Sequence, residues 1–263
     1  MKSTNNLEFF HFQCLQGMYF SKILKTANYL ILSSELIEDN YYNYCAGMKF
    51  NDSEFKEQWN NIKKQFPQNR VPAIYVSPMS DLYCTQRKYL SDFSKAYTDA
   101  WMVLEDESCL NQYVIPANIS LVKVSNEEEF NEFVETFKSA YGSDDPNDPY
   151  GNLSPTYTEA LESSFRKGSL YVRHHYIAYM DGIAAGVASA ICKDDLVGIY
   201  NVGTISKFRK KGVGQSLMSY IFGDVVKNKT MFLQTEKGTA VESWYVKQGF
   251  QTLFVGECYC ENR

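Results

Sequence analysis

Apolar positions along the chain recur at two spacings, and the switch between them marks out the elements. In FKEQWNNIKKQF, residues 55–66, Phe55, Trp59, Ile62 and Phe66 share one helical face. VPAIYVSP (71–78) is rich in β-formers between prolines and predicts a short strand, and YTDAWMVLED (97–106) predicts a second. SCLNQYVIPANISL (108–121) reads as a connector broken at Pro116 and Asn118. A helix follows in which Ser125 is the expected N-cap and Phe130, Phe133, Val134 and Phe137 form the apolar stripe. The polar stretch 142–155 predicts a loop, and TYTEALESSFRKG a helix stopped by Gly168. SLYVRHHYIAYM and GIAAGVASAICK alternate with period two on either side of Asp181-Gly182, a hairpin signature. LVGIYNVGTI (196–205) is the next expected strand. A helix from Gly212 carries Val213, Leu217, Tyr220, Ile221 and Val225 on one stripe. MFLQTE is a strand, TAVESWYVKQ a helix ended by Gly249, and QTLFVGECY a closing strand. From residue 121 the order is helix, helix, hairpin, strand, helix, strand, helix, strand, which predicts an α/β fold on a mixed sheet.

Composition narrows the class without naming a chemistry. The 263 residues, 44% hydrophobic and 22% charged, suit a soluble globular chain of one large or two ordinary domains. A formal net charge of -5 argues against a general nucleic-acid binder. The 7 cysteines, odd in number and with no CxxC pair, predict neither a disulfide framework nor a zinc site, and no metal is expected. The N-terminal stretch MKSTNNLEFFHF lacks a signal-peptide core, and no apolar run spans a bilayer. A cytoplasmic location away from membranes is the corresponding expectation.

The stretch FRKKGVGQSL puts Arg209, Lys210 and Lys211 directly before Gly212, Val213 and Gly214, where a helix starts. Helix N-termini present unpaired N–H groups and the positive end of the dipole, and glycine lets a ligand approach the backbone. That combination suits an anion, a phosphate above all. A tight strand-to-helix turn with a solvated basic edge has the same composition. A dinucleotide fingerprint is the sharper rival, with Glu236 as its acidic residue. Leu217 stands in the place of its third small residue, however, and too little chain follows for a doubly wound sheet.

Arg209-Lys210-Lys211-Gly212-Val213-Gly214, with the strand IYNVGTI before it and SWYVKQGF after it, resembles the acetyl-CoA signature of the GNAT superfamily of N-acetyltransferases. The resemblance runs from about Leu121 to the C-terminus and agrees in the order of elements. It implies a GNAT-like acyl-CoA N-acyltransferase fold with acetyl-CoA as co-substrate, its pyrophosphate held by amides from Lys210 to Gln215 and by the charge of Arg209 to Lys211. It further implies that the strand carrying Asn201, Val202, Gly203 and Thr204 splays from the 231–236 strand to admit the pantetheine arm. An N–H near Val202 would then face the thioester oxygen. Tyr245 occupies the place of the tyrosine that protonates the departing thiolate; its other reading is packing, like Trp244. The pattern departs from the family where Gly238 and Val241 replace an expected asparagine and alanine, and where Thr204 or Ser206 replaces a proline.

For the base that deprotonates the amine, Glu236 at the end of its strand is the first candidate and water relayed by Thr235 the second. His174 and His175 are adjacent on a strand and point to opposite faces, so at most one faces a cleft, and a structural role suits both. Asp194-Asp195 reads as a turn. Residues 1–115 form an expected N-terminal α/β domain without the glycine loop, a degenerate GNAT-like repeat or an unrelated cap, with Phe93 to Tyr97 standing in for the glycine–phenylalanine turn. Tyr41, Tyr42 and Tyr44 belong to its core or line a cleft. Residues 120–263 are the expected catalytic domain, so two tandem α/β domains are predicted. The reading is N-acetyltransfer from acetyl-CoA to a small-molecule or peptide amine; a non-catalytic acyl-CoA sensor is the alternative of another class.

Overall fold

A computed structural model describes residues 4–50, 53–67, 70–80, 82, 88–142, 153–167 and 171–262. Residues 143–152 of the expected loop at 142–155, and the helix stop at Gly168, lie outside them. In chain order the elements are α1 (Thr4–Leu15), β1 (Lys22–Lys25), β2 (Leu30–Ser33), β3 (Tyr44–Ala46), α2 (Phe55–Lys63), β4 (Ala73–Val76), β5 (Phe93–Leu104) and α3 (Ser108–Asn111). They continue with β6 (Ile119–Lys123), α4 (Glu127–Ala140), α5 (Pro155–Lys167), β7 (Val172–Met180), β8 (Ile183–Lys193) and β9 (Leu196–Thr204). The last are α6 (Val213–Ile221), β10 (Thr230–Glu236), α7 (Ala240–Lys247) and β11 (Phe250–Glu261). The mixed α/β architecture expected from the sequence is the one that forms.

The chain divides into two compact units that interleave in sequence. One comprises Met1–Met102, Gln234–Glu242 and Thr252–Arg263; the other comprises Val103–Leu233 and Ser243–Gln251. In the first, β1, β2 and β3 pair antiparallel in turn, β3 pairs parallel with β4, and β4 pairs antiparallel with β11. The apolar stripe of α2 works as its spacing predicts: Phe55, Trp59 and Ile62 are buried, and they join Ile31, Ile74, Val76 and Tyr259 in one core. Polar groups are buried here too. Trp101 Nε1 donates to Tyr75 Oη at 2.7 Å, and Tyr75 Oη donates to Asp99 Oδ2 at 3.0 Å. Gln234 Nε2 donates to that same carboxylate. Glu8 on α1 is wholly buried, with the Ser77 hydroxyl as the polar group beside its carboxyl.

In the second unit β6, β7, β8 and β9 form an antiparallel meander, and β9 pairs parallel with β10. Asp181 and Gly182 both take positive φ (52° and 78°), as the two-residue turn joining β7 to β8 requires. Phe130, Phe133, Val134 and Phe137 of α4 are buried as the spacing predicts. The cap of α4 sits one residue later than Ser125: Asn126 Oδ1 accepts from Glu129 N at 2.9 Å, while Glu129 Oε2 accepts from Ser125 N at 2.6 Å. Asn126 is extended there, so its side chain reaches the orphan amide. Each unit thus contains a strand–helix–strand parallel crossover, β3–α2–β4 in one and β9–α6–β10 in the other.

Candidate active site

The site in the second unit begins where two parallel strands part. β9 and β10 are in register only at Leu196, Val197 and Gly198, opposite Thr230, Met231 and Phe232. Both run on beyond that point, so the edge of β9 from Ile199 to Thr204 is free of β10. On its other side β9 carries a bulge, because Ser189 pairs with Tyr200 and Val187 with Gly203. Asn201 takes φ 55°, a left-handed conformation that asparagine tolerates better than most residues. Its Nδ2 donates to Ser189 Oγ at 3.1 Å, and Ser189 Oγ shares a 2.8 Å hydrogen bond with His175 Nδ1. Burial, then the neighbouring charges of Arg173 and His174, push the His175 imidazole down to about 3, so it is neutral among Phe130, Phe133 and Phe165. The histidine is therefore structural, and it pins the bulge. Val202 O accepts a 2.8 Å hydrogen bond from Tyr141 Oη.

The loop after β9 is shaped by its backbone. A short 3₁₀ turn (Ser206–Phe208) buries Phe208, and Lys210 and Gly212 then both take positive φ, 60° and 89°. The first bond of α6 runs from Ser216 N to Gly212 O at 2.9 Å. Among the described residues the N–H groups of Lys210 to Gln215 donate to no acceptor. Successive amides turned outward at a helix start form a concavity of positive potential. Gly186, Gly203 and Gly214 let neighbours close around it. A Cβ at Gly203 would stand 2.8 Å from that of Ala140, and one at Gly214 would stand 3.2 Å from Trp244.

The three cations divide their work. Arg209 Nε donates to Thr204 O at 3.0 Å and its Nη2 to Ala140 O at 3.3 Å, tying the loop to the ends of β9 and α4. Lys211 Nζ lies 5.8 Å from the Phe208 ring centroid, and Lys210 is exposed. On α7, Tyr245 is buried, edge-on to Trp244 (4.7 Å) and Phe250 (5.7 Å).

The structure thus brings Asn201, Val202, Gly203, Thr204, the loop Arg209 to Gln215 and Tyr245 into one unit. Glu236 and Thr235 belong to the other. Glu236 is half-buried there, and its charge is one of the influences on Asp99, whose carboxyl burial pushes up to about 7. Asp194 sits in a turn at φ 52°. Tyr44 is core, whereas Tyr41 is partly exposed and stacked on Tyr97 at 4.2 Å. Sequence reasoning missed Tyr141, Ser189 and Tyr113. Each acts through a hydrogen bond to a residue distant in sequence, and no local pattern marks that.

A cavity of about 480 Å³ adjoins the bulge strand. Tyr141, whose hydroxyl holds Val202 O, is part of its wall, together with Thr158, Glu159 and Glu162 of α5.

Residues 172–252 match the family model described as an acetyltransferase (GNAT) domain. Among solved structures, a functionally unknown conserved protein from Staphylococcus epidermidis is similar with a TM-score of 0.68 at 14% identity, covering 94% of this chain and 96% of that one. A GCN5-related N-acetyltransferase from Kribbella flavida is similar with a TM-score of 0.65 at 14% identity, covering 95% and 93%. A tandem GNAT protein from the clavulanic acid biosynthesis pathway is similar with a TM-score of 0.57 at 12% identity, covering 82% and 74%. No curated protein matches the chain.

Proposed function

We propose that this chain, a member of the GNAT superfamily through its domain at residues 172–252, is an N-acetyltransferase that moves the acetyl group of acetyl-CoA to a primary amine. The observation that carries this reading is the row of unpaired amides from Lys210 to Gln215 beside a strand edge that β10 has left. Six donors at a helix start suit a pyrophosphate, and an open strand edge suits the amides of a pantetheine arm. The donor set fits the co-substrate.

In this mechanism the amine nitrogen attacks the thioester carbon, the C–O π pair moves onto oxygen, and its return breaks the C–S bond. A backbone N–H in the Asn201–Val202 bulge is the candidate donor to that oxygen, a contribution typically of roughly 3 kcal/mol. Tyr245 supplies the proton that the departing thiolate takes. The ammonium loses one proton to a base before attack, a role the sequence pattern offers to Glu236, and after the C–S bond breaks the nitrogen's second proton restores the Tyr245 phenol. The cavity beside Tyr141 is the candidate acceptor site, and Glu159 and Glu162, against the single cation Lys138 that is itself paired with Glu135, favour a cationic amine there. The first unit, with its own β3–α2–β4 crossover and no glycine loop, is read as a degenerate repeat of the second; the tandem division into 1–115 and 120–263 is proposed at the level of sequence, since segments 234–242 and 252–263 of the later half belong to the first unit. Phe93 opens β5 as Phe250 opens β11.

Isothermal titration with acetyl-CoA and with NAD tests the cofactor: binding of the first alone is expected, and the reverse result ends the proposal. A thiol-release screen over polyamines, aminoglycosides, amino acids and peptides then reads the acceptor class.

A further inference from the structure

A second cavity, of about 390 Å³, lies at the other end of α6 from the glycine loop. Helix α6 is nine residues long, so at about 1.5 Å per residue its ends are roughly 14 Å apart. The chain leaves α6 through a π-helical turn, Phe222–Val226, and then a tight turn with Asn228 at φ 62°. Lys229 N donates to Val226 O at 2.7 Å, which closes that turn. Lys227 and Lys229 both line the cavity, as does Lys123 from β6.

The charge there is unbalanced. Asp224 is the one carboxylate in the lining, and it is already engaged: Lys123 Nζ lies 2.7 Å from its Oδ2, and Tyr176 Oη donates to the same oxygen at 2.7 Å. Lys227 and Lys229 make no ion pair among the described residues. A single cation would suffice to answer the negative end of the helix. Three around a cavity with one carboxylate leave two uncompensated. His174 completes the polar wall, and Val172 contributes an apolar one. Burial first, then the charges of Lys123 and Lys229, hold the His174 imidazole below its ordinary pKa, against the pull of Asp224.

We infer that this cavity is a binding site for a small phosphorylated ligand, separate from the coenzyme loop, in which Lys227 and Lys229 grip the phosphate and His174 donates to it. The volume falls within the range of small-ligand sites, about 300–1,000 Å³. Phosphate oxygens match ammonium groups as charge-assisted acceptors. Nothing in the acetyl-transfer chemistry uses these residues.

The test is isothermal titration of the full chain with inorganic pyrophosphate after saturation with acetyl-CoA, so that the glycine loop is occupied. Binding is expected at one site, weakening as sodium chloride is raised. Lys227→Gln and Lys229→Gln should each weaken it by roughly tenfold. In the same samples the His174 imidazole, followed by NMR, should titrate at higher pH when pyrophosphate is present. Val172→Asp, at an exposed position, should also weaken binding by placing a carboxylate in the wall, and it serves if either lysine variant does not fold. Absence of binding with an unmoved His174 overturns the inference. So does binding that survives both the lysine substitutions and Val172→Asp.

Discussion

Substituting Gly212 by alanine isolates the feature on which the loop depends. Gly212 holds φ 89° as the N-cap of α6, and a residue with a Cβ pays roughly 1–2 kcal/mol for a left-handed conformation. The new methyl would also stand 2.8 Å from Tyr113 Oη, too close to be accommodated without movement. Because that atom is the tip of a side chain, displacement should add no more than about 1 kcal/mol. Alanine also narrows the unfolded ensemble, returning about 0.4–1 kcal/mol. The net expectation is destabilisation of roughly 1–2 kcal/mol, most of it from φ. Tyr113→Phe separates the two contributions, since the bond from its hydroxyl to Gly212 O is long, at 3.5 Å, and its removal alone should cost little. In a double-mutant cycle followed by urea unfolding, Tyr113→Phe should recover less than half of the loss caused by Gly212→Ala. Affinity for acetyl-CoA, measured by titration calorimetry, should fall at least about tenfold in both backgrounds, because relaxing φ turns amides away from the concavity. Wild-type stability and affinity in Gly212→Ala would refute the assignment of the loop; full recovery by Tyr113→Phe would refute the backbone argument.

Tyr245→Phe should lower turnover by roughly 10²-fold in the thiol-release assay with little change in acetyl-CoA affinity, and unchanged turnover removes its role as acid. Ser189→Ala leaves the Asn201 amide and the His175 ring nitrogen without their shared partner, at a cost of about 1–3 kcal/mol, and should weaken acetyl-CoA binding as the bulge relaxes. A Ser189→Ala protein matching wild type in both unfolding midpoint and affinity would show that the bulge needs no pin. Burial raises Glu8 to about 8 and Asp99 to about 7, so both hold their protons more tightly folded than unfolded. The stability they contribute is complete below about pH 4 and is lost as pH rises toward 8, at a limiting slope of about 1.4 kcal/mol per pH unit for each group. Glu8→Gln and Asp99→Asn should flatten the pH dependence of the unfolding midpoint over that window; an unchanged profile in both contradicts the sign.

How far the sequence could be read follows from how local each determinant is. The stripe Phe130, Phe133, Val134, Phe137 and the hairpin pair Asp181-Gly182 carry their structures within a few residues, and both were legible. β2 was not, because all four residues of LILS are buried and a strand covered on both faces shows no alternation. β3 has only three residues, too few for any period. The interleaving of the two units was hidden for another reason. β11 pairs with β4 through Glu257 opposite Val76 and Cys260 opposite Ala73, and such contacts leave no trace in the flanking sequence. The same holds inside the candidate site. Glycine at 212 announces a positive φ, but Asn201 in IYNVGT does so only once its partner Ser189 is known. The run Arg209-Lys210-Lys211 looks like one block of charge, yet its first member is spent on two carbonyls, its third lies by an aromatic ring and its second faces solvent. Glycine spacing was therefore the informative part of that motif and charge the uninformative part, because a concavity of amides depends on backbone angles that few residues can adopt, whereas a cation can be supplied from several positions.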